Sequence, residues 1–163
     1  MQMNRRLLLG GAGAGLLGGV AFFGGQRESH AAEGKFPIKL SQAEWKKRLT
    51  PQQYAVLREE NTERAGSSPL NKEKRKGTYV CAGCGLPLYS SATKFESGTG
   101  WPSFWKPLAN AVGTKPDNTL FATRTEVHCR RCGGHVGHVF DDGPKPTGLR
   151  YCMNGVAMKF RPA

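Results

Sequence analysis

Apolar and polar positions change rhythm three times along this 163-residue chain. Leu7 to Gly25 runs 19 residues without a charge. Between Ser41 and Glu60 the apolar residues stand three or four apart, Trp45 with Leu49 and Tyr54 with Leu57. That spacing predicts two short helices ending near Glu60, each with one apolar stripe to bury. Ser41-Gln42-Ala43-Glu44 is a capping box, in which hydroxyl and carboxylate satisfy the first free N–H groups. Thr50-Pro51-Gln52-Gln53 repeats it with proline at the first helical position. From Gly77 onward the runs shorten. Thr78-Tyr79-Val80, Leu86 to Tyr89, Leu120 to Val127, Val136 to Phe140 and Val156 to Phe160 are β-rich and separated by Gly and Pro turns, which predicts antiparallel strands. Alternation puts Phe121, Thr123, Thr125 and Val127 on one face, and likewise Val156, Met158 and Phe160. The expected fold class is mostly β (α+β), with short N-terminal helices.

The first apolar run is a different object. Arg5-Arg6 precede it, eight glycines interrupt it, and Ser29-His30-Ala31 ends it with a small-residue cleavage pattern. Residues 1–31 therefore read as a signal peptide. The glycines make the run a poor permanent span, an uncleaved anchor being the alternative. The paired arginines before Leu7-Leu8-Leu9 resemble a twin-arginine signal, which implies export of an already folded, periplasmic protein. Residues 32–40 are expected to be a linker. Residues 41–163 fit one domain.

Charge adds a rival reading and then weakens it. Lys and Arg number 24 against 12 Asp and Glu, a net +12, which invites nucleic acid. The basic residues stand in scattered twos and threes, as in Lys46-Lys47-Arg48, Lys74-Arg75-Lys76 and Arg130-Arg131. A basic zinc-ribbon binding module is thus the runner-up, and no nucleic-acid partner is expected. The domain is expected to be a monomer.

Chemistry concentrates in the five cysteines. Cys81-Ala82-Gly83-Cys84 and Cys129-Arg130-Arg131-Cys132 are two Cys-x-x-Cys knuckles, which can present four thiolates tetrahedrally to one structural zinc ion. Two disulfides are the competing reading for an exported protein. Export after folding favours zinc, because the metal can occupy the thiols in the reducing cytosol. Four sulfurs leave no open position for a catalytic water.

Cys152 remains without a partner. A lone cysteine is usually a small buried hydrophobe, but Arg150 and Asn154 are each two residues away, on the same side if the segment is a strand, and a cation there favours the thiolate. His135 and His138 stand three apart after the second knuckle, free for hydrogen bonding or proton transfer once sulfur fills the metal sphere. Trp101, between Gly100 and Pro102, is either core packing or an indole held against an apolar group of a ligand.

These pieces together resemble the B-type methionine sulfoxide reductase family. The resemblance runs from about Leu40 to Phe160 through Thr62-Glu63-Arg64-Ala65-Gly66, both knuckles, Ser97-Gly98-x-Gly100-Trp101-Pro102-Ser103-Phe104, His135-x-x-His138-Val139-Phe140, Asp142-Gly143-Pro144-x-Pro146-Thr147-Gly148 and Arg150-Tyr151-Cys152-x-Asn154. It implies two antiparallel β-sheets with a zinc clip, and makes 41–163 a catalytic domain that reduces methionine-R-sulfoxide in proteins or peptides. By resemblance Cys152 is the nucleophile and Arg150 the cation that activates it. His135, His138 and Asn154 organise the polar side, while Trp101 and Phe140 bind substrate. A thiolate attacks the sulfoxide sulfur, methionine leaves, and a sulfenic acid remains. Many members carry a resolving cysteine where this chain has Thr99. Regeneration is therefore expected from an external thiol reductant such as a thioredoxin-like protein, unless a zinc-ligand cysteine resolves the sulfenic acid.

Overall fold

A computed structural model of the protein describes residues 34–119 and 122–163. The signal peptide expected at 1–31 lies outside the described residues. Of the expected linker, residues 34–40 are described: Phe36 stands edge-on to the His128 ring at 5.4 Å, and the Ile38 N–H donates to the Arg131 carbonyl.

Helices α1 (Gln42–Arg48) and α2 (Pro51–Glu59) begin at Ser41 and Thr50, both with reciprocal capping boxes. Their stripes are buried as the spacing predicts: Trp45, Leu49, Tyr54 and Leu57 are all core residues. Among the described residues nine strands follow, β1 (Gly77–Cys81), β2 (Pro87–Ser90), β3 (Lys94–Phe95), β4 (Ser103–Phe104), β5 (Val112–Asp117), β6 (Arg124–Cys129), β7 (His135–Phe140), β8 (Arg150–Met153) and β9 (Met158–Pro162). They form two antiparallel sheets, ordered β2-β1-β9 and β3-β4-β8-β7-β6-β5. The fold is mostly β, with two helices and a four-cysteine cluster consistent with a zinc site.

Three expectations about strands need correction. Of the run expected at Leu120 to Val127, Leu120 and Phe121 lie outside the described residues; among the others the strand begins at Arg124, and it continues to Cys129. Thr123 precedes the strand, and Thr125 is exposed while Val127 is fully buried, so the run does not present one uniformly buried face. Val156 belongs to a 3-10 turn (Gly155–Ala157) rather than to the strand that follows. The turn breaks the period of two, so Val156 does not share a strand face with Met158 and Phe160.

The core lies between the sheets and under the helices. Tyr89 stacks on Phe104 at 4.4 Å, Tyr79 meets Phe104 edge-on at 4.9 Å, and the Tyr89 hydroxyl donates to the Met153 sulfur. This aromatic block joins the two sheets beneath β8. The strand that carries Cys152 thus has a rigid floor, since offset and edge-on aromatic pairs add to the area they bury.

Candidate active site and metal clip

The two knuckles close on each other. All four sulfurs lie within 4.8 Å of one another. The short approaches, Cys81 to Cys132 at 3.7 Å and Cys84 to Cys129 at 3.5 Å, run across the knuckles, not within them. A zinc ion with sulfurs at about 2.3 Å spaces them by about 3.8 Å in a tetrahedron, whereas a disulfide needs about 2.05 Å. The arrangement therefore fits a metal ion. Cys81 ends β1 in one sheet and Cys129 ends β6 in the other, so the cluster pins sheet to sheet. Behind it the Arg58 guanidinium donates to the Cys132 carbonyl and lies over the Trp45 ring at 5.0 Å. Burial lowers the Arg58 pKa, and attraction to Cys132, Tyr54 and Cys81 opposes that shift.

Cys152 stands apart in mid-strand. Its neighbours across β8 are Ser103 of β4 and His138 of β7. It lines a cavity of about 110 Å3 together with Trp101, His138, Phe140 and Asn154. Thr62, Arg124 and Gly137 complete the wall; Thr62 opens the first motif block, whereas the sequence gives Arg124 and Gly137 no place. That volume is small against the usual ligand pocket of about 300 Å3 or more, so it suits one side chain rather than a whole cofactor. A larger open cavity of about 760 Å3, beside the second knuckle at His128 and Arg130, is lined by none of the five cysteines. Size does not pick out the chemistry.

The site residues expected from the sequence divide into lining and supporting groups. Trp101 donates its indole N–H to the Glu63 carbonyl at 3.1 Å. Asn154, 3% exposed, accepts from the Glu63 N–H and donates to the Val136 carbonyl. His138 Nε2 is 2.7 Å from Asp117 Oδ2, which also receives Arg124 at 2.6 Å. Burial lowers the His138 pKa while the Asp117 carboxylate opposes it. Burial raises Asp117, but hydrogen bonds from Thr119, His138 and Arg124 outweigh it and leave the acid well below its ordinary range. His135 is not in the cavity wall. It lies behind His138, rings 5.3 Å apart, and is 1% exposed. Its Nδ1 is 3.2 Å from Glu126 Oε1 but misaligned, leaving both ring nitrogens and that oxygen without a hydrogen bond within the protein.

Arg150 likewise stands beside the cavity rather than in it. It grips Asp142 with two bonds of 2.8 Å and covers the Phe140 ring at 4.4 Å. The bonds to Asp142 raise its pKa, and despite burial the nearby Cys152 sulfur adds to that effect, so the cation is within electrostatic reach of the thiol. Thr99 holds its hydroxyl 3.8 Å from Cys152 Sγ and bonds to Ser97, which bonds in turn to buried Ser103.

Glu63, Asp117, Arg124, Glu126 and Asp142 are the residues the sequence reading leaves without a role. Glu63 and Asp142 do fall inside the motif blocks. Asp117 carries no local signal, because its strand holds Gly113 and Pro116 and does not read as β.

A metal-capable clip, and away from it an unclipped thiol in a side-chain-sized cavity, define a small β oxidoreductase. The SelR domain model matches residues 49–162. The chain is 53% identical over 127 residues to the peptide methionine sulfoxide reductase MsrB of Leptospira interrogans, covering 77% of this chain and 97% of that protein. It is 55% identical over 125 residues to MsrB of Methanosarcina barkeri, covering 76% and 88%. With the chloroplastic reductase B1 of Arabidopsis thaliana it shares 54% over 121 residues, covering 74% and 60%. The chain belongs to the SelR family of B-type methionine sulfoxide reductases.

Proposed function

We propose that this protein reduces methionine-R-sulfoxide in proteins or peptides to methionine, with Cys152 as nucleophile and an external thiol as reductant. The observation that carries the reading is the 110 Å3 cavity, whose wall joins the one unclustered thiol to two aromatic side chains, Trp101 and Phe140, and two polar ones, His138 and Asn154. The aromatic side takes the substrate methyl. The polar side takes the oxygen, and because the sulfoxide sulfur is chiral, that division selects one epimer.

The Cys152 thiolate, favoured by the Arg150 charge, attacks the sulfoxide sulfur. Oxygen passes to the cysteine sulfur as His138 supplies a proton, giving methionine and a Cys152 sulfenic acid. Arg124 and Asp117 hold the imidazole in place, and His135 and Glu126 back it. With a hydroxyl at Thr99, no thiol in the cavity wall is available to resolve the product. One external thiol condenses with the sulfenic acid and expels water, and a second releases the mixed disulfide and restores the thiol. Zinc on Cys81, Cys84, Cys129 and Cys132 is structural in this scheme. Export through the N-terminal leader would place the repair outside the cytoplasm.

The deciding measurement is turnover of methionine-R-sulfoxide and its S epimer with a small dithiol. Only the R epimer should be reduced, and Cys152→Ser should lower kcat/KM by at least about a thousand-fold. Activity surviving that substitution refutes the reading. After one equivalent of sulfoxide, mass spectrometry should find one added oxygen on Cys152; an internal disulfide in the zinc-loaded protein would overturn direct external reduction.

A further inference from the structure

We propose that Glu63 is a positioning residue that sets the substrate cavity by holding Trp101 and Asn154 in one hydrogen-bonded clamp. The proposal rests on the reductase reading above and adds to it the group that fixes the distance between the cavity's apolar and polar sides. Glu63 does not line the cavity itself, although its neighbour Thr62 does.

Four bonds converge on this one residue. Its carbonyl accepts the Trp101 indole N–H at 3.1 Å, and its N–H donates to Asn154 Oδ1 at 3.0 Å. Its carboxylate, on a residue only 6% exposed, accepts the Gly155 N–H at 2.6 Å and the Val156 N–H at 2.9 Å. The carboxylate therefore pins the turn just after Asn154, while the backbone of the same residue holds the indole and the amide. Charge-assisted bonds of this kind are short and about twice as strong as neutral ones.

Local packing makes the clamp stiff. Gly100, at φ 93°, lets the Trp101 loop lie against Ala65, where a Cβ would sit 3.0 Å from the Ala65 methyl. The Gly100 carbonyl accepts from both the Gly66 N–H and the Asn71 side chain, at 2.8 and 2.9 Å. The segment around Glu63 is thus strapped to the indole loop on one side and to the end of β8 on the other. A cavity of this size tolerates little error, since a displacement of about 1 Å can cost about a hundred-fold in rate.

The test is Glu63→Gln in the full, zinc-loaded chain. The amide keeps the shape but turns an N–H2 group toward a backbone N–H, so one of the two carboxylate bonds is lost. Three results are expected. KM for a methionine-R-sulfoxide peptide rises about ten-fold, with kcat changed less. In NMR spectra the Trp101 indole N–H shifts and exchanges faster with water, while those of Trp45 and Trp105 stay put. In a Trp101→Phe background, which lacks the indole N–H, the KM penalty of Glu63→Gln largely disappears. An unmoved Trp101 indole with KM within two-fold of wild type overturns the clamp, as do additive effects in the double variant. Glu63→Asp, which keeps the charge but shortens the reach, replaces Glu63→Gln with the same readouts should the latter fail to fold. Wild-type protein that turned over neither epimer would sink the reductase reading, and the indole spectra alone would then decide the clamp.

Discussion

Asp117 and His138 are 21 residues apart in the chain and 2.7 Å apart in the fold. The pair makes a prediction whose sign can be worked out. The His138 pKa already lies below 6.5 because burial disfavours the cation, with His135 and Arg124 adding to the same effect and Asp117 opposing it. Asp117→Asn removes the opposing carboxylate and leaves Arg124 unneutralised, and both changes push His138 further down. NMR titration of the His138 ring should show that fall, and the alkaline limb of the kcat profile should move to lower pH with it. A titration that is unmoved or shifted upward contradicts the pairing. Thr99 carries a second test. Its hydroxyl stands 3.8 Å from the Cys152 sulfur on a loop flanked by Gly98 and Gly100, so Thr99→Cys brings a thiol within bonding reach. One equivalent of methionine-R-sulfoxide should then leave an internal disulfide, seen by mass spectrometry, where the wild type should leave the proposed sulfenic acid.

Between β7 and β8 the spacing depends on one residue. Gly137 faces Met153, and an added Cβ would collide with the Cys152 carbonyl and come within 2.9 Å of Met153 Cα. Gly137→Ala should therefore part the two strands, at a cost of about 1–3 kcal/mol, and displace the thiol. Urea denaturation measures the first effect and kcat/KM the second; full stability with full activity would mean that the strands do not need this contact. The elements also explain what the amino-acid pattern could announce. The capped helices, β1, β2 and β7 advertise themselves through caps, period and β-rich composition, as do the knuckles through spacing. β5 does not, because Gly113 and Pro116 interrupt it on a sheet edge where a proline is tolerated. The two-residue strands β3 and β4 are too short to carry a period. Asp117, Glu126 and Arg124 owe their places to strand register, which brings β5 and β6 alongside β7. Cys152, Trp101 and Asn154 stood out because each sits in an unusual local setting.

The four-cysteine cluster is where the two sheets and the helices meet. β1 supplies Cys81, the turn after it Cys84, β6 supplies Cys129, and the turn into β7 supplies Cys132. α2 closes over them: Leu57 is 1% exposed and lies beside Gly83 and Gly134, and at Gly134 an added Cβ would come within 2.9 Å of its side chain. Among the described residues this is the place where bonds stronger than packing could join the sheets, since none of the five cysteines is in a disulfide. A metal ion bound only by the folded arrangement adds its binding energy to folding, and structural zinc in small domains contributes on the order of 10 kcal/mol. Purified protein should accordingly carry one zinc per chain by elemental analysis. Removing it with a chelator, or removing one ligand by Cys129→Ser, should lower Tm by roughly 10 °C or more, at about 3 °C per kcal/mol. Cys152 is outside the cluster, so its alkylation in the zinc-loaded protein should proceed while the four ligands stay protected. Metal-free protein that melts within a few degrees of the loaded form would mean that packing alone joins the sheets.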